Sequence, residues 1–88
     1  MYYMYVLQSV RDHGLYIGYT HDLRERLNRH NSGFVKATRP RKPFELIFYE
    51  AYLNKYDALR RENYFKTSKG KTTLKTMLKE YFSKKSMT

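Results

Sequence analysis

The sequence predicts an α+β fold in which three strands and about three helices follow in the order β-β-α-β-α-α. Three observations predict it. Tyr2 to Ser9 and Leu15 to Thr20 are short runs rich in aromatic and β-branched residues, parted by a turn that holds Asp12 and Gly14, which is the pattern of a hairpin. Leu23, Leu27 and His30 then recur at i, i+4 and i+7, the spacing of one helix face. A third apolar run, Phe44 to Tyr52, precedes two more stretches with helical spacing.

Each element has a local reason. With Asp12-His13 as the centre of the first turn, Ser9 faces Tyr16 and Tyr5 faces Thr20. Tyr5, Leu7, Ser9, Tyr16, Gly18 and Thr20 then share one face of the hairpin, and Met4, Val6, Leu15 and Ile17 share the other. The first helix runs from Asp22 to about Asn31, with Asp22 as N-cap and Glu25 as its capping-box partner. Gly33 closes it in a left-handed cap. Phe34 to Pro43 has no apolar period, carries Lys36, Arg39, Arg41 and Lys42, and reads as an extended basic loop. A second helix starts at the cap Asn54, has Asp57 in its first turn and continues to about Ser68, with Ala58, Leu59, Glu62 and Phe65 at helical spacing. Ser68-Lys69-Gly70 reads as a break, Thr72 to Phe82 as the last helix and residues 83–88 as a frayed tail. Residues 1–88 read as one domain, without repeat or linker.

The bulk numbers bound the function. Eighty-eight residues suffice for one small core. There is no cysteine, which excludes disulfides and thiolate metal sites and suits a reducing compartment. No apolar run approaches the roughly 18 residues of a membrane span, and Met1 to Leu7 lacks the basic start of a signal peptide. A cytoplasmic location is expected. Eighteen Lys and Arg against eight Asp and Glu give a net charge of +10. A small chain this basic points to a polyanionic partner, nucleic acid first. No P-loop, His-Glu-x-x-His or Gly-x-Ser-x-Gly motif is present, and no small-molecule cofactor is expected.

The chemistry concentrates in Tyr16 to His30 and in Glu62. Gly18 lacks a Cβ and lets the backbone approach a neighbour closely. The following helix N-terminus favours an anion. Arg26 and His30 lie one turn apart on that helix. Arg26 reads either as a solvated charge or as a bidentate phosphate clamp. His30 reads as a core-edge histidine or as a phosphate partner. Tyr5 and Tyr16 are ordinary strand residues or the pair that positions a water and takes its proton; the second role needs a nearby cation, since a free phenol has a pKa of about 10. A carboxylate such as Glu62 among Ala58, Leu59 and Phe65 is costly unless paired or bound to a cation. Its partner is an arginine, with Arg26 the candidate, or a Mg²⁺ ion that takes one carboxylate together with phosphate and water.

These residues resemble the GIY-YIG nuclease superfamily. Tyr16-Ile17-Gly18 is the second half of the name-giving motif intact, and Met4-Tyr5-Val6 is its first half with Gly replaced by Met. Thr20 to Gly33 resembles the family's arginine helix and Ala58-Leu59-Arg60-Arg61-Glu62 its glutamate helix. The resemblance spans about Tyr2 to Tyr81. It is greatest to small single-domain bacterial members and extends distantly to the N-terminal nuclease domain of the excinuclease C subunit, which has a lysine where this chain has Tyr19. It implies one three-stranded antiparallel sheet flanked by helices. It implies a phosphodiesterase, an endonuclease on DNA or structured nucleic acid, that uses one Mg²⁺ or Mn²⁺ ion. In that reading Glu62 holds the metal, Arg26 steadies transition-state charge, Tyr5 and Tyr16 activate or orient water, and His30 lies near the phosphate. Lys36, Arg39, Arg41 and Lys42 are expected to contact the nucleic-acid backbone. The alternative is a nucleic-acid-binding module on the same fold that has little or no catalytic activity.

Overall fold

A computed structural model describes residues 1–86. The elements are β1 (Tyr2–Ser9), β2 (Leu15–Thr20), α1 (Leu23–Asn31), a 3-10 turn at Arg39–Arg41, β3 (Phe44–Tyr52), α2 (Lys55–Phe65), α3 (Ser68–Met77) and α4 (Lys79–Ser86). The strands form one antiparallel sheet in the order β2-β1-β3. β1 is therefore the middle strand, and it is buried from Met4 to Ser9. No helix among the described residues is long and apolar enough to cross a membrane.

The pleat sorts side chains onto two covered faces. Met4, Val6 and Ile17 pack with Phe65 of α2 and Leu74 of α3, and Leu15, Phe48 and Leu78 lie against this cluster. Tyr5, Leu7 and Phe44 make the second cluster, beneath Leu23 and Leu27 of α1. Burying each large side chain of this kind contributes roughly 1.5–3 kcal/mol. A bulge opposite Val6 and Leu7 breaks the alternation in β3. Ile47 and Phe48 consequently both serve the first cluster while Leu46 serves the second.

The expected face assignment holds, but the expected register is off by two. Tyr5 lies opposite Gly18 and Leu7 opposite Tyr16, where Thr20 and Ser9 were expected. The cause is the turn. Ser9 and Gly14 are its flanking pair, with Ser9 N–H donating to the Gly14 carbonyl at 2.9 Å. The buried Ser9 hydroxyl accepts from the N–H groups of Arg11 and Asp12, and His13 takes a positive φ of 64°. The turn centre thus falls one residue earlier, and a shift of two preserves the faces.

Helix ends follow their capping residues. Asp22 accepts from the Glu25 N–H, Asn54 from that of Tyr56 and Thr67 from that of Gly70. At the end of α1, Gly33 takes φ +81°. Its N–H donates to the His30 carbonyl and that of Phe34 to Arg29, a Schellman cap. The last helical stretch corrects the sequence reading: Gly70 does not break a helix but lies inside the first turn of α3. A Cβ there would overlap the Tyr64 carbonyl at the end of α2, so Gly70 is the point where two helices touch. Thr67 ends α2 early by donating to Tyr64 and capping α3 at once. The single helix expected over Thr72 to Phe82 is two, because Leu78 leaves helical geometry at φ −107°, ψ 26°. α4 occupies the expected tail as far as Ser86; residues 87 and 88 lie outside the described residues.

The basic loop is not extended. It coils through hydrogen bonds from Thr38 and Arg39 to Val35, with Pro40 at the start of the 3-10 turn, where its missing N–H costs nothing. The Ser9 hydroxyl donates to the Arg41 carbonyl at 2.6 Å and Val10 N–H to Pro43 at 2.9 Å. Arg41 pairs with Asp12 at 3.2 Å. These bonds lash the loop to the hairpin turn.

Gly70→Ala tests the α2–α3 contact. In an open helix this change stabilises by about 1 kcal/mol; here overpacking is expected to destabilise by about 1–3 kcal/mol. Urea unfolding measures the sign, and a stabilised variant would show that the helices do not touch at Gly70.

Candidate active site

The site starts from a cross-strand pair. Tyr5 is 2 % exposed on the middle strand, and its ring lies over Gly18, its partner on β2. A Cβ at Gly18 would overlap the phenol oxygen and two ring carbons. The glycine of the Tyr16-Ile17-Gly18 motif therefore makes room for the tyrosine of the Met4-Tyr5-Val6 motif.

Behind Tyr5 runs a chain of hydrogen bonds whose direction is set by its ends. Arg26 Nε donates to Tyr5 Oη at 3.4 Å. Tyr5 Oη and His30 Nε2 are 2.9 Å apart, and His30 Nδ1 and Thr38 Oγ1 are 2.8 Å apart. The Thr38 hydroxyl donates to the Val35 carbonyl at 3.4 Å. A guanidinium only donates and a carbonyl only accepts. Tyr5 therefore donates to Nε2, and His30 is neutral with its proton on Nδ1, donated to Thr38. Both His30 and Thr38 have no exposed surface. Burial first, and then the charge of Arg26, push His30 down from 6.5 to about 4. Burial pushes the Tyr5 phenol up; the Arg26 hydrogen bond opposes that rise, and the charges of Tyr16 and Glu62 add to it. The cation that a phenolate needs is present, yet burial outweighs it, and Tyr5 is a neutral donor at pH 7.

Arg26 connects the buried Tyr5 to an open cleft. Arg26, half-buried, lines a cleft with Tyr19, Thr20, His21, Glu25 and Arg29. The Thr20 hydroxyl accepts from the Asp22 N–H at 3.1 Å and so fixes the turn into α1. Tyr16 is half-buried with its ring 4.9 Å from His30 and 6.3 Å from Tyr5. Its hydroxyl makes no hydrogen bond among the described residues. Glu62 comes from α2 with its side chain 15 % exposed, and its charge acts on Tyr5. It pairs with Lys66 at 3.0 Å, not with an arginine: Arg26 is turned to Tyr5, and Arg61 is taken by Glu50 through two 2.8 Å bonds. Those bonds hold the Glu50 carboxyl below the usual range, with a further contribution from Tyr52.

One free-standing carboxylate sets what metal the residues suit. Among the described residues no three His, Cys, Asp or Glu side chains gather as a metal cage. The Glu62 partner is an ammonium that is 52 % exposed, hence easily displaced by another cation. A largely buried carboxylate with only an exposed lysine against it fits Mg²⁺ or Mn²⁺, hard ions that keep most of their ligands as water and phosphate. It does not fit zinc, which takes three or four protein ligands.

Lys36, Arg39 and Lys42 are exposed, although Arg39 Nε is bound to the Gly33 carbonyl at 2.7 Å. Arg41 is partly spent on Asp12 and lies over the Phe44 ring. Sequence reasoning missed Thr38 and the Glu50–Arg61 pair. Thr38 sits in a loop with no apolar period and gave no signal. Glu50 lies four residues before the Asn54 cap, and nothing local ties it to a helix residue eleven positions on.

The neutral His30 makes stability depend on pH. Its folded pKa lies below its unfolded value, so between about 6.5 and about 4 the unfolded chain binds a proton that the folded chain refuses. Stability is expected to fall as pH drops through that window, by up to about 3 kcal/mol. His30→Gln removes this contribution. Urea unfolding at pH 4, 5, 6 and 7 is expected to give a shallower decline for the variant; identical slopes would mean that His30 binds its proton equally in the folded and unfolded chain.

Comparisons with known proteins place the chain in a family. The description "GIY-YIG catalytic domain" belongs to a family model that matches residues 1–85. A UPF0213 protein of Bacillus pumilus is 48% identical over 67 residues, which cover 75% of this chain and 67% of that protein. A UPF0213 protein of Pediococcus acidilactici is 44% identical over 77 residues, or 84% and 78% of the two chains. The solution structure of a UPF0213 protein from Bacillus halodurans superposes with a TM-score of 0.54 at 36% identity, covering 88% of this chain and 85% of its own. The chain belongs to the GIY-YIG family.

Proposed function

We propose that the protein is a divalent-metal-dependent phosphodiesterase that cleaves DNA or structured nucleic acid at the cleft in front of Tyr5. The observation that carries this reading is the one-way hydrogen-bond chain from Arg26 through Tyr5 and His30 to Thr38. It gives a phenol hydrogen-bonded to Arg26, which lines an open cleft, and a neutral imidazole nitrogen behind that phenol. As a water attacks phosphorus, its proton passes to Tyr5 Oη while the Tyr5 proton passes to His30 Nε2. Tyr5 thus acts as a base without becoming a free phenolate; the charge appears instead on His30, whose imidazolium is offset by the negative charge developing at the phosphate. The P–O bond to the leaving oxygen breaks, and that oxygen takes a proton from solvent. The Arg26 groups not bound to Tyr5 face the cleft and suit a phosphate oxygen. Tyr16, with its free hydroxyl, orients the water. Glu62 holds the divalent ion, which when bound supplies positive charge against the phosphate oxygens. Lys36, Arg39 and Lys42 contribute backbone contacts, and Arg41 serves chiefly to fasten the loop.

His30 enters as the proton acceptor behind the tyrosine and not as a phosphate ligand, because it is fully buried. A second reading, binding without cleavage, draws on the single carboxylate at Glu62. The test incubates purified protein with nicked, branched, single-stranded and duplex DNA, with and without Mg²⁺ or Mn²⁺. Cleavage with either ion is expected. Binding without cleavage of any substrate would establish the binding module instead.

Two variants separate the roles. Glu62→Gln removes the charge and keeps the shape; cleavage is expected to fall at least about 100-fold with little change in Tm, as its ion pair among the described residues is with an exposed lysine. Tyr5→Phe removes the hydroxyl, and a loss of about 10²–10⁴-fold is expected. Wild-type rates in either variant would exclude that residue from the chemistry.

A further inference from the structure

The other face of the sheet carries a second charged surface. Two open clefts, of about 430 and 340 Å³, share His13, Leu15 and Lys75 and run together as one groove. The hairpin turn and β2 make one wall; α3 and α4 make the other, with Lys71, Lys75 and Lys79. Gln8, Leu15 and Ile17 belong to the Met4 side of the pleat, opposite Tyr5 and Tyr16, so the groove lies on the other side of the sheet from the Arg26–Tyr5–His30 chain.

The charged residues that line the groove are of one sign, with Glu80 of α4 outside the lining. Residues 68–79 contain no acid, and the three lysines are exposed. None of the ion pairs among the described residues involves them. Lys71 and Lys75 are one helical turn apart, about 6 Å along the axis, close to two phosphate steps of a DNA strand at roughly 3.4 Å each. The floor is apolar, made by Leu15, Ile17 and Phe82, of which Ile17 is 6 % exposed and the other two half-buried. The row of exposed lysines along its wall is the feature that suits a phosphate backbone.

We propose that this groove holds the backbone of a second nucleic-acid segment, so that the protein grips two arms of a branched substrate, one on each face of the sheet. A single straight duplex touches only one face; contact with both requires a second arm. The proposal rests on the nucleic-acid reading above and narrows its substrate class to branched molecules.

The experiment measures binding by fluorescence anisotropy, without divalent ions, to a three-way DNA junction and to a duplex equal to one arm. Wild type is compared with the combined variant Lys71→Gln, Lys75→Gln, Lys79→Gln, three exposed changes to a residue that keeps helix propensity. Wild type is expected to prefer the junction by tenfold or more. The variant is expected to bind the duplex within about twofold of wild type, to lose most of the junction preference, and to lower the log–log salt slope on the junction by about 0.9 per lost contact. Equal losses on both DNAs would reduce the lysines to net charge and overturn the proposal, as would unchanged junction binding, which would leave the groove to another class of partner. A wild type that binds the duplex without preferring the junction overturns this proposal alone; one that binds neither DNA overturns the nucleic-acid reading itself.

Discussion

The candidate site depends on one close approach, the phenol of Tyr5 laid against the backbone of Gly18. It is possible only because the two are register partners on adjacent strands and one lacks a side chain. With the ring in that place, its oxygen falls between Arg26 and His30, which lie one turn apart on α1. Any other residue at position 18 would push the ring away from both. The hydrogen-bond chain and the cleft therefore share a single steric origin on the middle strand.

Burial decides the protonation of the same residues. Tyr5 and His30 are both out of water, and burial disfavours the charged form of each, raising one pKa and lowering the other. A neutral phenol beside a neutral imidazole can pass a proton in one concerted movement without forming a phenolate, and the charge then appears on His30 as an imidazolium. Arg26 contributes in both directions: its hydrogen bond favours the phenolate and its charge opposes an imidazolium. The basic loop belongs to this arrangement through Thr38, which fixes the far nitrogen of His30. Its arginines are divided between structure and surface, with Arg41 tied to the hairpin turn.

The two faces of the sheet are chemically unlike. Hydroxyls and the arginine of α1 surround the Tyr5 face, whereas the opposite face is a packed aliphatic and aromatic core rimmed by the lysines of α3 and α4. Glu62 joins them, because α2 packs through Ala58 and Phe65 on the core side while the Glu62 charge is felt at Tyr5. Glu50 of β3 is held by Arg61 and Tyr52.

The sequence by itself determined the strands, the first two helices and the sorting of the hairpin residues onto two faces. These are local properties: alternation at period two, apolar spacing at period 3.6, and caps such as Asp22 and Asn54 that act within three residues. It also marked Tyr5, Tyr16, Arg26, His30 and Glu62, since their residue types and order resemble a known family. Only the tertiary structure decided the register, because the turn is organised by the buried Ser9 hydroxyl and tied to Arg41, thirty-two positions away. It decided that Gly70 is a helix contact, because the Tyr64 carbonyl that excludes a side chain there belongs to the preceding helix. It decided that Glu62 pairs with Lys66 and that His30 is buried between Tyr5 and Thr38. Partners, burial and pKa are set by what packs around a residue, and no local pattern records that.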